Sequence, residues 1–519
     1  MSSWKELQYD ALGGVWSAIN PADIPQGPGN EGWKGVLHFA QAKNAFHPQN
    51  LHDIATRPGM ADVRATTINA NAIFTGIFHQ GDLADRLILW ASIAAGTHKP
   101  YQDDGNPPSL MAPATAFTVG QDNLVSMVNF QTDGTTRGTV CASRQRDTMQ
   151  FINTSGVVSD FTPTGTIKAK YLEVFGRRLL MANVVVNGTT YATRVYHSDL
   201  RDGDLLTDVG TQFNSFETEQ GGDVTAVKKL GNVCMVATPN NVFMLIPTDA
   251  SLNPYAFQEL MAGRFKGPIS HQGVVEAEGK LWWASRTNFH SVDLEGKVED
   301  IGDPVLDTIL DDLNDARREL IVGGYDPQNG LILWSVTNSG STAHDRVMAY
   351  DPALKTWYPD WTLSVNAMGN RVVSGNPRLI LGGYAGLFRN FPSGTTGSTD
   401  DATAVIDADI ITPRHHCLTP HLMKLFAGVK VTFDPQGTSE SVTVQYRLND
   451  ASSWNSFTSS PYSVRSTAGD VDVKFFNLMK AGTHLQLRFR DANSGQVMQI
   501  QKYSILYRPL TNAPVFLKT

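Results

Sequence analysis

A short apolar phrase returns along the chain at a nearly constant interval, and this recurrence restricts the fold more than any other feature. It reads Leu87-Ile-Leu-Trp-Ala-Ser92, Leu179-Leu-Met-Ala-Asn183, Val233-Cys-Met-Val-Ala237, Leu281-Trp-Trp-Ala-Ser285, Leu331-Ile-Leu-Trp-Ser335 and Leu379-Ile-Leu-Gly-Gly383, with a weaker copy at Thr139-Val-Cys-Ala-Ser143. The copies at Val233, Leu281, Leu331 and Leu379 start 48, 50 and 48 residues apart, and the weaker copy falls inside the 92-residue gap between Leu87 and Leu179. Each is continuous in apolar, β-branched and aromatic residues, and most lie between turn residues, such as Gly330 before one copy and Thr337-Asn-Ser-Gly-Ser341 after it. That is the pattern of a strand buried on both faces between tight turns. A second apolar strand often follows, as at Arg346–Asp351 and Asn241–Ile246. Seven copies at a spacing of roughly 40–50 residues match the period of four-stranded propeller blades.

The rest of the chain divides around these repeats. Residues 1–65 are rich in Gly, Pro, Asn and Trp, and read as an N-terminal arm whose Trp4, Trp16, Trp33 and Phe39 call for burial. An arm without a core of its own is expected to wrap a neighbouring subunit. Residues 66–395 hold the repeats, with Ile73–Phe78 opening the first blade and Val224–Lys228 a later one. Within them Val305, Ile309 and Leu313 fall at helical spacing after Pro304, which predicts a short amphipathic helix between blades. The stretch Ser393-Gly-Thr-Thr-Gly-Ser-Thr-Asp-Asp401 has linker composition. Residues 396–519 then form a second β domain with strands at 425–433, 441–447, 470–476, 484–490 and 499–507. Val442, Val444 and Tyr446 alternate with Thr443, Gln445 and Arg447, the pattern of a strand with one wet face. The expected fold is all-β: a seven-bladed β-propeller followed by a C-terminal β-sandwich of immunoglobulin-like or jelly-roll type.

Composition narrows the function. A net charge of −8 without a basic stripe argues against a nucleic-acid reader. No apolar run approaches about 18 residues, and Met1-Ser-Ser-Trp-Lys-Glu6 lacks the charged head and apolar core of a secretory signal, so neither a membrane span nor export is expected. Cys141, Cys234 and Cys417 are odd in number and far apart, and two lie inside the repeated strands; they read as small core residues of a chain made in a reducing cytosol.

Candidate chemistry is sparse. His415, His416, Cys417 and His421 cluster, but only one half of a metal-ligand pattern is present, so no metal is expected. Asp103-Asp104, Asp311-Asp312 and Asp400-Asp401 are adjacent in sequence rather than opposed across a sugar bond, as glycoside hydrolysis requires. Ser198-Asp199-Leu-Arg-Asp202-Gly203 matches a sialidase-type turn only in part, lacking its aromatic end. Trp90, Trp282, Trp283, Trp334, Trp357 and Trp361 could form a sugar platform, but most sit in the repeated strands and read as core. No nucleophile elbow, P-loop, dinucleotide fingerprint or zinc-protease motif occurs. No catalytic, cofactor-binding or metal-ligating residue is therefore assigned, and the chain is read as not an enzyme.

Asn44-Ala-Phe46, followed by Asp53-Ile-Ala-Thr-Arg57-Pro58-Gly59, resembles the phrase that leads into the propeller of tailed-phage tail proteins of the nozzle and hub type. Tyr196-His-Ser-Asp199 with Asp202-Gly203 is similar to another turn of that group, and Ile500–Tyr507 followed by Arg508-Pro509 resembles its closing strand. The resemblance implies a structural virion protein in the phage tail. It would assemble as a homo-oligomeric ring, expected to be a hexamer, against the head-to-tail adaptor and other tail proteins. DNA would pass through the lumen during ejection without specific binding, and no catalytic residue or cofactor is carried over. The alternative from another class is a receptor-binding propeller that binds or hydrolyses host glycans.

Overall fold

In the computed structural model seven four-stranded antiparallel sheets follow one another, and each of the seven apolar phrases is the second strand of one sheet. The structure describes residues 4–9, 12–15, 37–48, 53–391, 401 and 405–510, except 65, 82–83, 94–95, 114, 132–135, 164–165, 199–212, 219–220, 249–253, 374, 385, 387, 418–420, 435–439, 466–470 and 494–496. The innermost strands of blades one to seven are Ala72–His79, Val125–Gln131, Tyr171–Phe175, Ala226–Leu230, Val275–Ala277, Val322–Asp326 and Val365–Val373. The second strands are apolar throughout because neighbouring blades cover both of their faces. Leu87, Leu89, Trp90, Leu281, Trp283, Leu333 and Trp334 are fully buried. Phe289, Trp334 and Trp357 interlock between blades five and six with ring centroids 4.7–5.6 Å apart.

The circle closes with a strand from the other end of the chain. Ala61–Asp62 forms the outer strand of blade seven by pairing with Phe388–Asn390, and Arg389 Nε reaches Asp62 at 2.8 Å. Backbones approach closely where blades seven and one meet. A Cβ on Gly369 would lie 2.4 Å from the Ile77 carbonyl oxygen, and one on Gly382 2.7 Å from Phe74 Cβ.

All five strands expected in the C-terminal domain are present, in two facing sheets. The first runs Asp472–Gly482, Lys424–Phe433, Gln499–Pro509, and then Lys5–Tyr9 and Ile54–Thr56 side by side along that last strand. The second runs Glu440–Leu448, Leu485–Asp491, Ala408–Ile411 and Gln41–Lys43, and continues at one residue pair, Asp360 with Lys43, into the outer strand of blade six, Thr356–Trp361. Val442, Val444 and Tyr446 point into the shared core with Phe426, Val429 and Phe489.

Two sequence expectations need correction. Where described, the first 65 residues are not a separate arm: Lys5–Tyr9, Gln41–Lys43 and Ile54–Thr56 are strands of the sandwich, and Ala61–Asp62 belongs to the propeller. Phe39 is buried as expected. Trp4 is 44% exposed, its ring lying beside the Arg508 guanidinium at 5.2 Å, and Trp16 and Trp33 fall outside the described residues. The helix at 303–313 exists in irregular form. A 3₁₀ turn at Asp303–Val305 leads into a widened π turn at Thr308–Asp312. The wide turn leaves Leu313 extended and bridged to Asn338, while Val305, Ile309 and Leu313 still reach the same core.

Candidate functional site

The most elaborate polar construction among the described residues joins the propeller to the sandwich, and it is built on Asn44 and Arg57. Asn44 takes a left-handed conformation (φ 50°), which Asn tolerates better than most residues. Its amide donates to Thr362 Oγ1 at 2.8 Å and to the Asp407 carbonyl at 3.0 Å. Its Oδ1 accepts from the Thr362 N–H at 2.8 Å and from Arg57 Nε at 3.1 Å. The Arg57 guanidinium, 1% exposed, meets Asp401 with both ends of its fork, one contact being 2.8 Å from Nη1 to Oδ1. Its carbon Cζ stands 5.9 Å from the ring centre of Trp361, whose indole N–H donates to the Ala45 carbonyl at 2.9 Å. Lys43 and Arg490 both hold Asp407, at 2.9 and 2.8 Å. Residues far apart in sequence thus converge: Lys43, Asn44, Ala45 and Arg57, Trp361 and Thr362, Asp401 and Asp407, and Arg490. A planar fork buried against a carboxylate fixes direction as well as distance.

The propeller's central channel is the second candidate. It has a volume of about 460 Å³ and is lined by the inner strands, including Ser126, Asn129, Glu173, Lys228, Gln272 and Met368. His271 sits in its wall with its ring stacked on Tyr171 at 4.9 Å. The Val227 N–H donates to His271 Nδ1 at 3.4 Å, which leaves Nε2 to carry the proton toward Ser126 Oγ at 3.2 Å. Burial lowers the His271 pKa to about 3, so the ring is neutral and ties the inner strands of blades two, three and four together. Just before the inner strand of blade three, Lys170 is lowered to about 8, first by burial and then by Arg144 and Arg146. Arg144 is paired with Glu319, and Arg146 is bonded to Asn183.

The residues singled out in the sequence disperse. His415 is buried between two tyrosines, with Nδ1 3.0 Å from Tyr9 Oη and Nε2 3.0 Å from Tyr503 Oη. His416 instead lies against the ring of His484, Cys417 is buried and His421 is exposed, and no metal-holding group of three occurs among the described residues. Asp103 is buried between Arg64 and Arg371, whereas Asp104 accepts from the Ser109 N–H. Asp312 meets Arg346 at 3.3 Å, and Asp401 belongs to the junction. Ser198 Oγ accepts the Leu179 N–H at 2.9 Å; Asp199, Asp202, Gly203 and Asp400 lie outside the described residues. Trp90, Trp283, Trp334, Trp357 and Trp361 are buried in blade contacts. Trp282 and Tyr350 line a groove of about 950 Å³ between blades five and six, yet are only 5% and 3% exposed and offer a sugar no open ring face. Cys141 and Cys234 are buried in second strands, and burial pushes the Cys141 thiol up to about 12.

Asp326 and Asp351 have raised pKa values through burial, and each accepts backbone N–H groups of its own turn, from Gln328 and from Ala353 and Leu354. They shape hairpins. The junction was missed in the sequence because Arg57 and Asp401 are 344 residues apart; the signals present were Arg57-Pro58-Gly59 and a lone Asp at the end of a linker.

No family model matches the chain, and no curated protein matches it. Solved structures similar to it include a streptogramin B lyase, with a TM-score of 0.39, 10% identity and coverage of 64% of this chain and 96% of that one. The WD40 propeller domain of Doa1 gives 0.38, 12%, 65% and 98% in the same order. The extracellular domain of a one-component system of B. thetaiotaomicron gives 0.41, 10%, 85% and 59%.

Proposed function

We propose that this chain is a structural component of a tailed-phage virion, part of the nozzle or hub ring of the tail through which DNA passes during ejection. The observation that carries the reading is the junction. Asn44, Arg57, Pro58 and Gly59, the residues of the phrase that resembles phage tail proteins, lie where propeller and sandwich are locked together. A mechanical part needs its bodies held at a fixed angle. A buried, bidentate ion pair within a hydrogen-bonded frame supplies orientation more than net stability. The perturbed aspartates and histidines have structural occupations, which supports a non-catalytic role.

In this reading the partners are further copies of the chain in a closed ring, with a hexamer expected, together with the head-to-tail adaptor and neighbouring tail proteins. The lumen belongs to the ring and not to the propeller. Spread along an inner strand of about 20 Å, a channel of about 460 Å³ is too narrow for a duplex, whose major groove alone is about 12 Å wide. The net charge of −8 suits a wall past which DNA slides. No cofactor or membrane is involved, and the location is the virion tail after synthesis in the host cytoplasm.

Cryo-electron microscopy of the purified chain, with mass spectrometry of purified phage particles, tests the proposal. The expected result is a ring of cyclic symmetry and recovery of the chain with tail proteins. A monomer that binds host glycans on an array or releases sugar from them would replace this reading with the receptor-binding one.

A further inference from the structure

The central channel of the propeller holds donors that its own wall does not satisfy. Most polar side chains in that wall are occupied. Ser126 Oγ accepts the Leu172 N–H at 3.1 Å and meets His271 Nε2 at 3.2 Å. Asn129 donates to the Gln80 carbonyl at 2.9 Å and accepts from Thr139 Oγ1 at 2.8 Å. Glu173 uses both oxygens on backbone, accepting the Val174 N–H at 2.9 Å and the Lys229 N–H at 3.2 Å. Two donors are left over. Gln272 Nε2 is buried and has no partner among the described residues, a costly state for an amide that no acceptor meets. Lys228 Nζ has only a loose pairing with Glu173, at 3.9 Å, among the described residues.

Charge and shape agree with these leftovers. The wall carries Lys228 and Lys229 against Glu173, and His271 is neutral, so one positive charge is in excess although the chain as a whole has −8. Lys228 lowers the His271 pKa beyond the effect of burial, which places its charge near the residue that precedes Gln272. The donors belong to blades four and five, whereas Phe78, Met127 and Val174, each partly exposed, give blades one to three an apolar side. One end of the channel is crossed by the 3₁₀ turn Asp315–Leu320, which leads into blade six and reaches blade two. Arg317 Nη2 meets Asp122 Oδ1 at 2.6 Å, and Glu319 pairs with Arg144. Blades two and six stand nearly opposite in a circle of seven, and Asp122, Arg144 and Leu320 lie where the inner strands begin, so the turn makes a floor there. Lys228 and Lys229 lie towards the other end.

We propose that this channel is a binding pocket for a small organic carboxylate. The carboxylate accepts from Gln272 Nε2 and pairs with the Lys228 ammonium, and the hydrocarbon part lies against Phe78, Met127 and Val174. A volume of about 460 Å³ is within the range of small-molecule pockets. Hydrogen bonds to an ionised acceptor are the stronger kind, which favours a carboxylate over a neutral ligand. An inorganic anion would leave the apolar side uncovered, and a neutral sugar would leave Lys228 without a counter-charge. The proposal does not depend on the ring reading.

Calorimetric titration of the purified chain with sodium octanoate tests it, with octanol and inorganic phosphate as comparison ligands and with Gln272→Leu and Lys228→Gln chains beside the original. Thermal unfolding shows which substituted chains are folded, and either one suffices for the comparison. The expected result is saturable octanoate binding that each folded variant weakens about tenfold, the loss of one hydrogen bond to a charged group. Octanol is expected to bind more weakly than octanoate, and phosphate not to bind. A chain that takes up no octanoate overturns the proposal. Equal affinity in the original and the variants places the ligand elsewhere and overturns it too. Phosphate or octanol binding as tightly as octanoate overturns the carboxylate assignment. Each of these failures leaves the tail reading standing, because none bears on whether the chain forms a ring.

Discussion

Arg57 carries more structural consequence than any other single side chain described. It is 1% exposed and reaches Asp401, Asn44 and the Pro58 carbonyl at once. Removing one partner of such a pair strands the other charge without compensation, at a cost of roughly 3–5 kcal/mol. Arg57→Ala is expected to lower the urea midpoint by that order. Arg57→Lys is expected to recover less than half, because an ammonium cannot reproduce the two-pronged contact. Equilibrium unfolding of the three proteins checks both, and an Arg57→Lys chain as stable as the original would mean that charge alone suffices.

Histidines supply the pH dependence at the same scale. Burial lowers His415 to about 3, with His416 adding to the effect; burial likewise lowers His271 to about 3 and His98 and His344 to about 4. Their pKa values are depressed on folding, so between about pH 6.5 and 4 the unfolded chain binds protons that the folded chain refuses. Stability is therefore complete above about pH 6.5 and falls on acidification, by at most about 1.4 kcal/mol per pH unit for each histidine. Unfolding midpoints at pH 7.5, 6 and 5 should decline, and His415→Gln should remove about one histidine's share of the slope. A slope that His415→Gln leaves unchanged would show that the ring is not held neutral between Tyr9 and Tyr503.

At the scale of elements, blade packing depends on backbones that touch. Gly369 of blade seven leaves no room for a side chain beside the Ile77 carbonyl of blade one. Gly369→Val is expected to force these inner strands apart at a cost of roughly 1–3 kcal/mol, read as a lower melting temperature and faster proteolysis between blades seven and one. This contact also shows what sequence could and could not reveal. The second strands were legible because blades cover both faces, and continuous burial writes a continuous apolar phrase. The strands Gln41–Lys43, Ile54–Thr56 and Ala61–Asp62 were not, since two or three residues are too few to display a period. Apart from the local pairing of Ile54–Thr56 with Ala45–Phe46, their partners lie hundreds of residues away, so the arm's membership of both bodies left little local trace. The same holds for the junction. Arg57-Pro58-Gly59 stood out as a phrase, but nothing near Asp401 announced its partner.

The whole molecule ties its two ends together: residues 5–9 and 54–56 pair with the last strand, and residues 61–62 close the propeller. Pulling on either body therefore loads strand pairs and the Arg57 node instead of a single tether, which is the behaviour that the proposed tail ring would require of a part past which DNA moves. The proposed use makes a demand on charge. A lumen wall that gripped phosphates would slow ejection, and each phosphate neutralised would add about 0.9 to the slope of log affinity against log salt. A chain with net charge −8 is expected to show no measurable binding of duplex DNA by fluorescence anisotropy between about 50 and 200 mM salt. Lys170, Arg144 and Arg146 are the place to look if binding appears, since the two arginines stand close enough to Lys170 to lower its pKa beyond the effect of burial. Affinity that rises steeply as salt is lowered and vanishes in a Lys170→Glu, Arg146→Glu chain would make this cluster a phosphate-binding surface and would contradict a passive wall.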